Sequence, residues 1–149
     1  MGDDGKAIRY AQSAVLPYAP DRMFDLVADV ERYPEFLREY RQVSIRVRDG
    51  NVLYVDQVIG LAFVELTLSA IATLQRPNSI IVRSRQELLG DLEIRWDFEP
   101  DRTGSRVQFN MKLTPPSRLA VGIAGYLLTK SASRTLEAFA SRARRVYGT

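Results

Sequence analysis

From Val43 to Leu113 apolar and polar positions alternate with a period of two, and beyond Pro115-Pro116 the period lengthens to that of a helix. The first alternating run, taken from Arg41, sets Val43, Ile45 and Val47 against Ser44, Arg46 and Arg48 and ends in an Asp49-Gly50-Asn51 hairpin turn. In the next strand Leu53, Val55, Gln57 and Ile59 face inward, which leaves Asp56 in water, and Gly60 reads as a turn or bulge. The strand that follows, with Ala62, Val64, Leu66, Leu68, Ala70, Ala72 and Leu74 on one face, is long enough that the sheet must bend. Arg76-Pro77-Asn78-Ser79 turns the chain into a strand over Ile80–Leu88, with Ile80, Val82, Ser84, Gln86 and Leu88 on one side. After Leu89-Gly90-Asp91, the pair Leu92-Ile94-Trp96-Phe98 and Val107-Phe109-Met111-Leu113 completes the sheet across an Asp101–Gly104 loop.

The flanks of this run are different. Ile8–Leu16 reads as a first strand near an edge, closed by Pro17. Ala19-Pro20-Asp21 then starts a short amphipathic helix carrying Met23, Val27 and Val30, and Tyr33-Pro34-Glu35 breaks it into a second short helix. At the other end Val121, Gly125, Leu128, Ala132, Leu136, Phe139, Ala143 and Val146 form one apolar stripe on a helix spanning Pro115–Tyr147. Its first half is apolar nearly all round, whereas its second half carries Lys130, Arg134, Arg142, Arg144 and Arg145 off the stripe. Gly122 and Gly125 each cost about 1 kcal/mol of helix propensity relative to alanine, so they point to close approach of backbone or ligand, or to local mobility. The order strand, two short helices, six strands, long helix defines an α+β fold: a bent antiparallel sheet of about seven strands wrapped around the C-terminal helix. Such a wrap leaves room between helix and sheet.

Composition narrows the chemistry. At 149 residues, with 46% hydrophobic residues, the chain suits one soluble domain with a sizeable core. It has neither cysteine nor histidine, which excludes disulfides, thiolate nucleophiles, histidine-based triads and zinc sites with imidazole or thiolate ligands. The acidic residues are scattered, so no metal site is expected. The start of the chain lacks the layout of a secretory signal, and the apolar run Leu119–Leu128 is too short to span a bilayer, so the expected location is the cytoplasm.

The inward face is the candidate binding surface. Val64, Leu66, Leu68, Val82, Trp96 and Phe98 lie on it, joined by Phe109 and Met111, and Ile123 and Leu127 face them from the helix. Gln57, Ser84 and Gln86 are its polar members, sufficient to orient a carbonyl or head group. No inward acid appears in this register and Tyr54, Tyr126 and Arg95 reach inside only if a strand is misregistered, so the residues lean away from catalysis and no catalytic residue is assigned. Two clusters of basic residues, Arg38, Arg41, Arg46 and Arg48, and Lys130, Arg134, Arg142 and Arg145, allow peripheral contact with anionic membrane or with RNA. No aromatic-basic motif for base stacking accompanies them.

Three segments carry a family resemblance: Val15–Leu37, with its Leu16-Pro17-Tyr18-Ala19-Pro20 and Tyr33-Pro34-Glu35-Phe36-Leu37 runs, then Trp96-Asp97-Phe98, then Leu136–Tyr147. Together they resemble the START-like helix-grip superfamily, in the group that holds the coenzyme Q-binding COQ10 proteins, the RatA ribosome-association toxins and polyketide cyclase/dehydrase-type proteins. The resemblance implies one START-like (Bet v 1-like) ligand-binding domain over residues 1–149, with residues 1–7 a flexible start. It further implies non-catalytic binding or transport of a hydrophobic small molecule, such as a polyprenyl quinone or lipid, in a cavity between sheet and helix, without a cofactor. A polyketide aromatase/cyclase and a RatA-like ribosome-associated protein are the alternatives it leaves open.

Overall fold

The computed structural model describes residues 7–61 and 64–148, leaving aside the side chains of residues 61, 118–121, 123, 124 and 127. Residues 1–6 of the expected flexible start, and Ala62, lie outside the described residues. The elements are β1 (Ile8–Leu16), α1 (Pro20–Ala28), a 3-10 helix (Val30–Glu35), β2 (Tyr40–Asp49), β3 (Val52–Leu61), β4 (Val64–Gln75), β5 (Ser79–Gln86), β6 (Gly90–Asp101), β7 (Gly104–Thr114) and α2 (Arg118–Tyr147). The strands form one antiparallel sheet in the order β1-β7-β6-β5-β4-β3-β2, so β1 is an edge strand as its closing proline implies. Pro20 opens α1 at a position where its missing N–H costs nothing, and Met23, Phe24, Leu26 and Val27 bury the inner face of that helix. Pro115-Pro116 delays α2 to Arg118, three residues later than the expected start.

Alternation breaks down where the ladder is irregular. Register shifts in β2 fall between Tyr40 and Gln42 and between Ile45 and Val47. The first turns Tyr40 inward, opposite Ile59; the second turns Val47 outward, opposite Tyr54, against the inward position expected for it. Gly60 is not a turn: β3 continues through it to Leu61, and a side chain there would meet the Arg41 guanidinium at 2.7 Å. The ladder between β4 and β5 begins only at Ser69↔Arg85, so the β3–β4 hairpin projects past β5 and Val64–Leu68 pair with β3 alone.

The apolar interior is divided. The larger cluster joins β1 and β4–β7 to α1 and α2 through residues such as Phe24, Phe98, Val107, Leu136 and Phe139. A smaller one gathers Val30, Leu53, Val55 and Ala72 beneath the 3-10 helix. Phe139 is the aromatic hub, with ring centroids 5.0 Å from Trp96, 5.1 Å from Phe36 and 5.4 Å from Tyr33, all edge-on.

The second half of α2 is anchored to the rest of the fold. In the second half Leu128, Ala132, Leu136, Phe139 and Ala143 are buried as the stripe requires, although Val146 is 51% exposed and Ala140 is buried in addition. The end of the chain is latched by Tyr18 Oη donating to the Gly148 carbonyl (2.6 Å), Tyr147 Oη donating to the Arg22 carbonyl (2.9 Å) and Arg142 donating to Glu35 (2.7 Å) while its guanidinium lies over Phe36. In the first half Gly125 approaches β1, where an added Cβ would sit 2.9 Å from Ile8 Cδ1, whereas Gly122 faces open space.

Candidate binding cavity

Where the two apolar clusters meet, the side chains do not close, and a cavity of about 100 Å³ remains between α2, the sheet and the 3-10 helix. The cause is small side chains facing one another: Ala70, Ala72 and Ser84 on the sheet floor, Ser131 and Ala132 on α2. Larger apolar groups, among them Leu68, Val82, Trp96, Phe109, Met111 and Phe139, build the walls.

The expected lining residues divide accordingly. Gln57, Leu68, Val82, Ser84, Trp96, Phe109 and Met111 lie on the wall. Leu66 and Phe98 are buried on the same sheet face but belong to solid core, Phe98 being stacked edge-on against Phe24 of α1 at 5.7 Å. Val64 has the right parity but stands on the projecting hairpin, where it is 43% exposed. Gln86 is spent on the β5–β6 turn, its Oε1 accepting from the backbone N–H of Leu88 (2.6 Å) and Leu89 (2.8 Å), and Leu88 itself is 61% exposed there. The side chains of Ile123 and Leu127 lie outside those described.

Several wall residues were not anticipated. Tyr33 comes from the 3-10 helix, Leu37 and Glu39 from the turn after it, Tyr40 from the start of β2, and Ser131 and Thr135 from the polar flank of the α2 stripe. A period-two count begun at Arg41 runs past the bulge that turns Tyr40 inward, so alternation alone hides it. The signal that could have found Ser131 and Thr135 is their position beside buried Ala132 and Leu136 on the helix.

The polar groups of the wall fall into two sets. Tyr33 Oη donates to the Val27 carbonyl, Ser84 Oγ to the Ser69 carbonyl (2.9 Å) and Thr135 Oγ1 to the Ser131 carbonyl (3.2 Å). The Tyr40 hydroxyl, the Gln57 amide and the Ser131 hydroxyl have no hydrogen-bond partner among the described residues. Burial first, and the nearby Glu39 charge second, push the Tyr40 hydroxyl up to about 12, so it remains a protonated donor at neutral pH. Burial likewise raises Tyr33 well above the ordinary tyrosine value, with Tyr40 and Asp29 adding to the effect. Neither phenol is tuned toward proton transfer near pH 7.

Outside the cavity several basic residues are engaged in ion pairs. On the outer sheet face Arg83 pairs with Glu93 and Arg85 with Asp91 directly across β5 and β6, Arg95 pairs with Asp97, and Arg46 pairs with Asp56. Thus Arg46 and Arg142, one from each expected basic cluster, already have carboxylate partners. Among the described residues no group of three or more Asp and Glu side chains is placed to hold a metal ion, and no helix is long and apolar enough to cross a membrane.

Residues 16–140 match the family model described as polyketide cyclase / dehydrase and lipid transport. The chain belongs to that family. A ribosome association toxin RatA from Rickettsia prowazekii is 26% identical over 143 residues, covering 93% of this chain and 98% of the toxin. The mitochondrial coenzyme Q-binding protein COQ10 homolog B from Xenopus laevis is 26% identical over 148 residues, covering 96% of this chain and 61% of its relative. Among solved structures, the ZhuI aromatase/cyclase from Streptomyces sp. R1128 superposes with a TM-score of 0.85 at 14% identity, covering 94% of this chain and 96% of that one, a likeness of fold alone. The fold is the START/Bet v 1-like helix grip: a seven-stranded antiparallel sheet with a long C-terminal helix.

Proposed function

We propose that this chain, as one binding domain over residues 1–149, holds a hydrophobic small molecule between the sheet and α2 and carries or presents it rather than transforming it. The observation that supports this best is the apolar cavity at the seam of the divided core, with three polar groups on its wall that lack partners among the described residues. A relative named for coenzyme Q binding and a family described by lipid transport make a quinone or lipid the first candidates. At about 100 Å³ the cavity accepts a ring or head group, and a long tail requires the wall to give way. An aromatase/cyclase activity has the fold in its favour, but among the described residues its wall offers one carboxylate, Glu39, and two phenols that burial moves away from neutral pH. Action in the cytoplasm, with peripheral contact at anionic membrane, suits a carrier of this kind.

Purification from the native host, extraction with organic solvent and mass spectrometry test the proposal, with Ala132→Leu as the cavity-filled control. A stoichiometric apolar compound absent from the control supports it; an empty extract from both overturns it. The similarity to RatA over 98% of that toxin favours a second reading, ribosome association. Co-sedimentation with ribosomal subunits, unaffected by Ala132→Leu, is its expected result.

A further inference from the structure

Resting on the carrier reading, we infer that the cavity selects a neutral molecule whose buried end presents carbonyl or similar acceptor oxygens, and that it rejects carboxylates and phosphates. Charge on the wall decides the second part. Among the described residues the wall carries none of the chain's 21 lysines and arginines, and its one formally charged side chain is Glu39. An anionic head group entering there gives up water, gains no cation and meets a carboxylate. A fatty acid or phospholipid head therefore does not fit this site.

Donor inventory decides the first part. Tyr33, Ser84 and Thr135 already give their hydroxyl protons to backbone carbonyls, whereas the Tyr40 hydroxyl, the Gln57 amide and the Ser131 hydroxyl retain protons to donate. Tyr40 stands opposite Ile59, two residues along the same face from Gln57, so the two are diagonal neighbours on one wall, with Ser131 on α2. Donors on both the sheet and the helix, within an otherwise apolar lining, match a ketone, quinone or ester.

Trp96 is the chain's single tryptophan and lies on the cavity wall, so its fluorescence reports occupancy without a label. Three probes of equal chain length, 2-dodecanone, dodecanoate and dodecylamine, are titrated at neutral pH below their aggregation limits, with calorimetry in parallel. The ketone is expected to bind at least about tenfold more tightly than dodecanoate, while dodecylamine, which Glu39 can pair with, reports that carboxylate separately. Tyr40→Phe and Gln57→Leu are each expected to weaken the ketone by about fivefold, the worth of one hydrogen bond, without weakening dodecanoate. Dodecanoate binding as tightly as the ketone overturns the inference while leaving the carrier reading in place. So does undiminished ketone binding by the folded double variant; should that variant fail to fold, the ranking on the unaltered protein decides alone. Failure of all three probes to bind overturns the carrier reading itself and the inference with it.

Discussion

Filling the cavity from the helix side should stabilise the protein while abolishing its capacity for ligand. Ala132 is buried, lies on the cavity wall, and sits in a helix where leucine is nearly as favourable as alanine. A void of about 100 Å³, at about 24 cal/mol per Å³, costs the empty fold about 2.4 kcal/mol, which is the ceiling on what filling can recover. Three added carbons occupy most of that space with some rotamer restriction, so Ala132→Leu is expected to gain about 1–2 kcal/mol. For a chain of this size that corresponds to a rise in Tm of about 3–6 °C, read by thermal and urea unfolding followed at Trp96. A bound ligand should raise the Tm of the unaltered protein but not that of the variant, because the linkage vanishes with the site. A variant that melts lower and still responds to ligand would refute the reasoning, since it would mean that the space beside Ala132 is neither void nor binding site.

Other perturbations address the rest of the fold. Phe139→Ala removes the hub of the aromatic cluster and should cost about 3–5 kcal/mol in urea unfolding; a loss below about 1 kcal/mol would show that the hub is not packed as described. The hydrogen bond from Arg142, followed by the charges of Arg32 and Arg142, lowers the Glu35 carboxyl below its ordinary 4.5, so its contribution is present above that value and lost as pH falls through the folded one. The stability difference between the protein and Glu35→Gln should therefore shrink between about pH 6 and about pH 3; a difference that grows on acidification would reverse the assignment. Gly122→Ala should stabilise α2 by about 1 kcal/mol because nothing opposes the added methyl, and destabilisation would indicate a contact at that face.

The periodicities were sufficient for the architecture because each strand between Leu53 and Leu113 keeps one face against the core, and a one-residue slip would have placed its whole apolar set in water. The cavity was less legible. Its volume comes from what is absent at Ala70, Ala72, Ser84 and Ala132, and small residues on an apolar face look the same in sequence whether their neighbours close over them or not. Parity put Val64 inside, but burial depends also on how far a strand runs beyond its neighbours, and the β3–β4 hairpin overshoots β5. Gln86 faced inward by count yet was captured by the adjoining turn, a local competition that alternation does not register. Tyr40 was hidden by a bulge, a one-residue change that reverses the facing of everything before it.

The overshooting hairpin also sets where backbone protons are exposed. Because the β4–β5 ladder starts at Ser69, the amides of Val64–Leu68 that point away from β3 have no neighbouring strand to bond, whereas those from Ser69 to Gln75 lie between two strands. In deuterated water the first group should exchange through local fluctuation and the second only through larger opening of the sheet. One continuous strand would then label in two kinetic phases, with the boundary at Ser69.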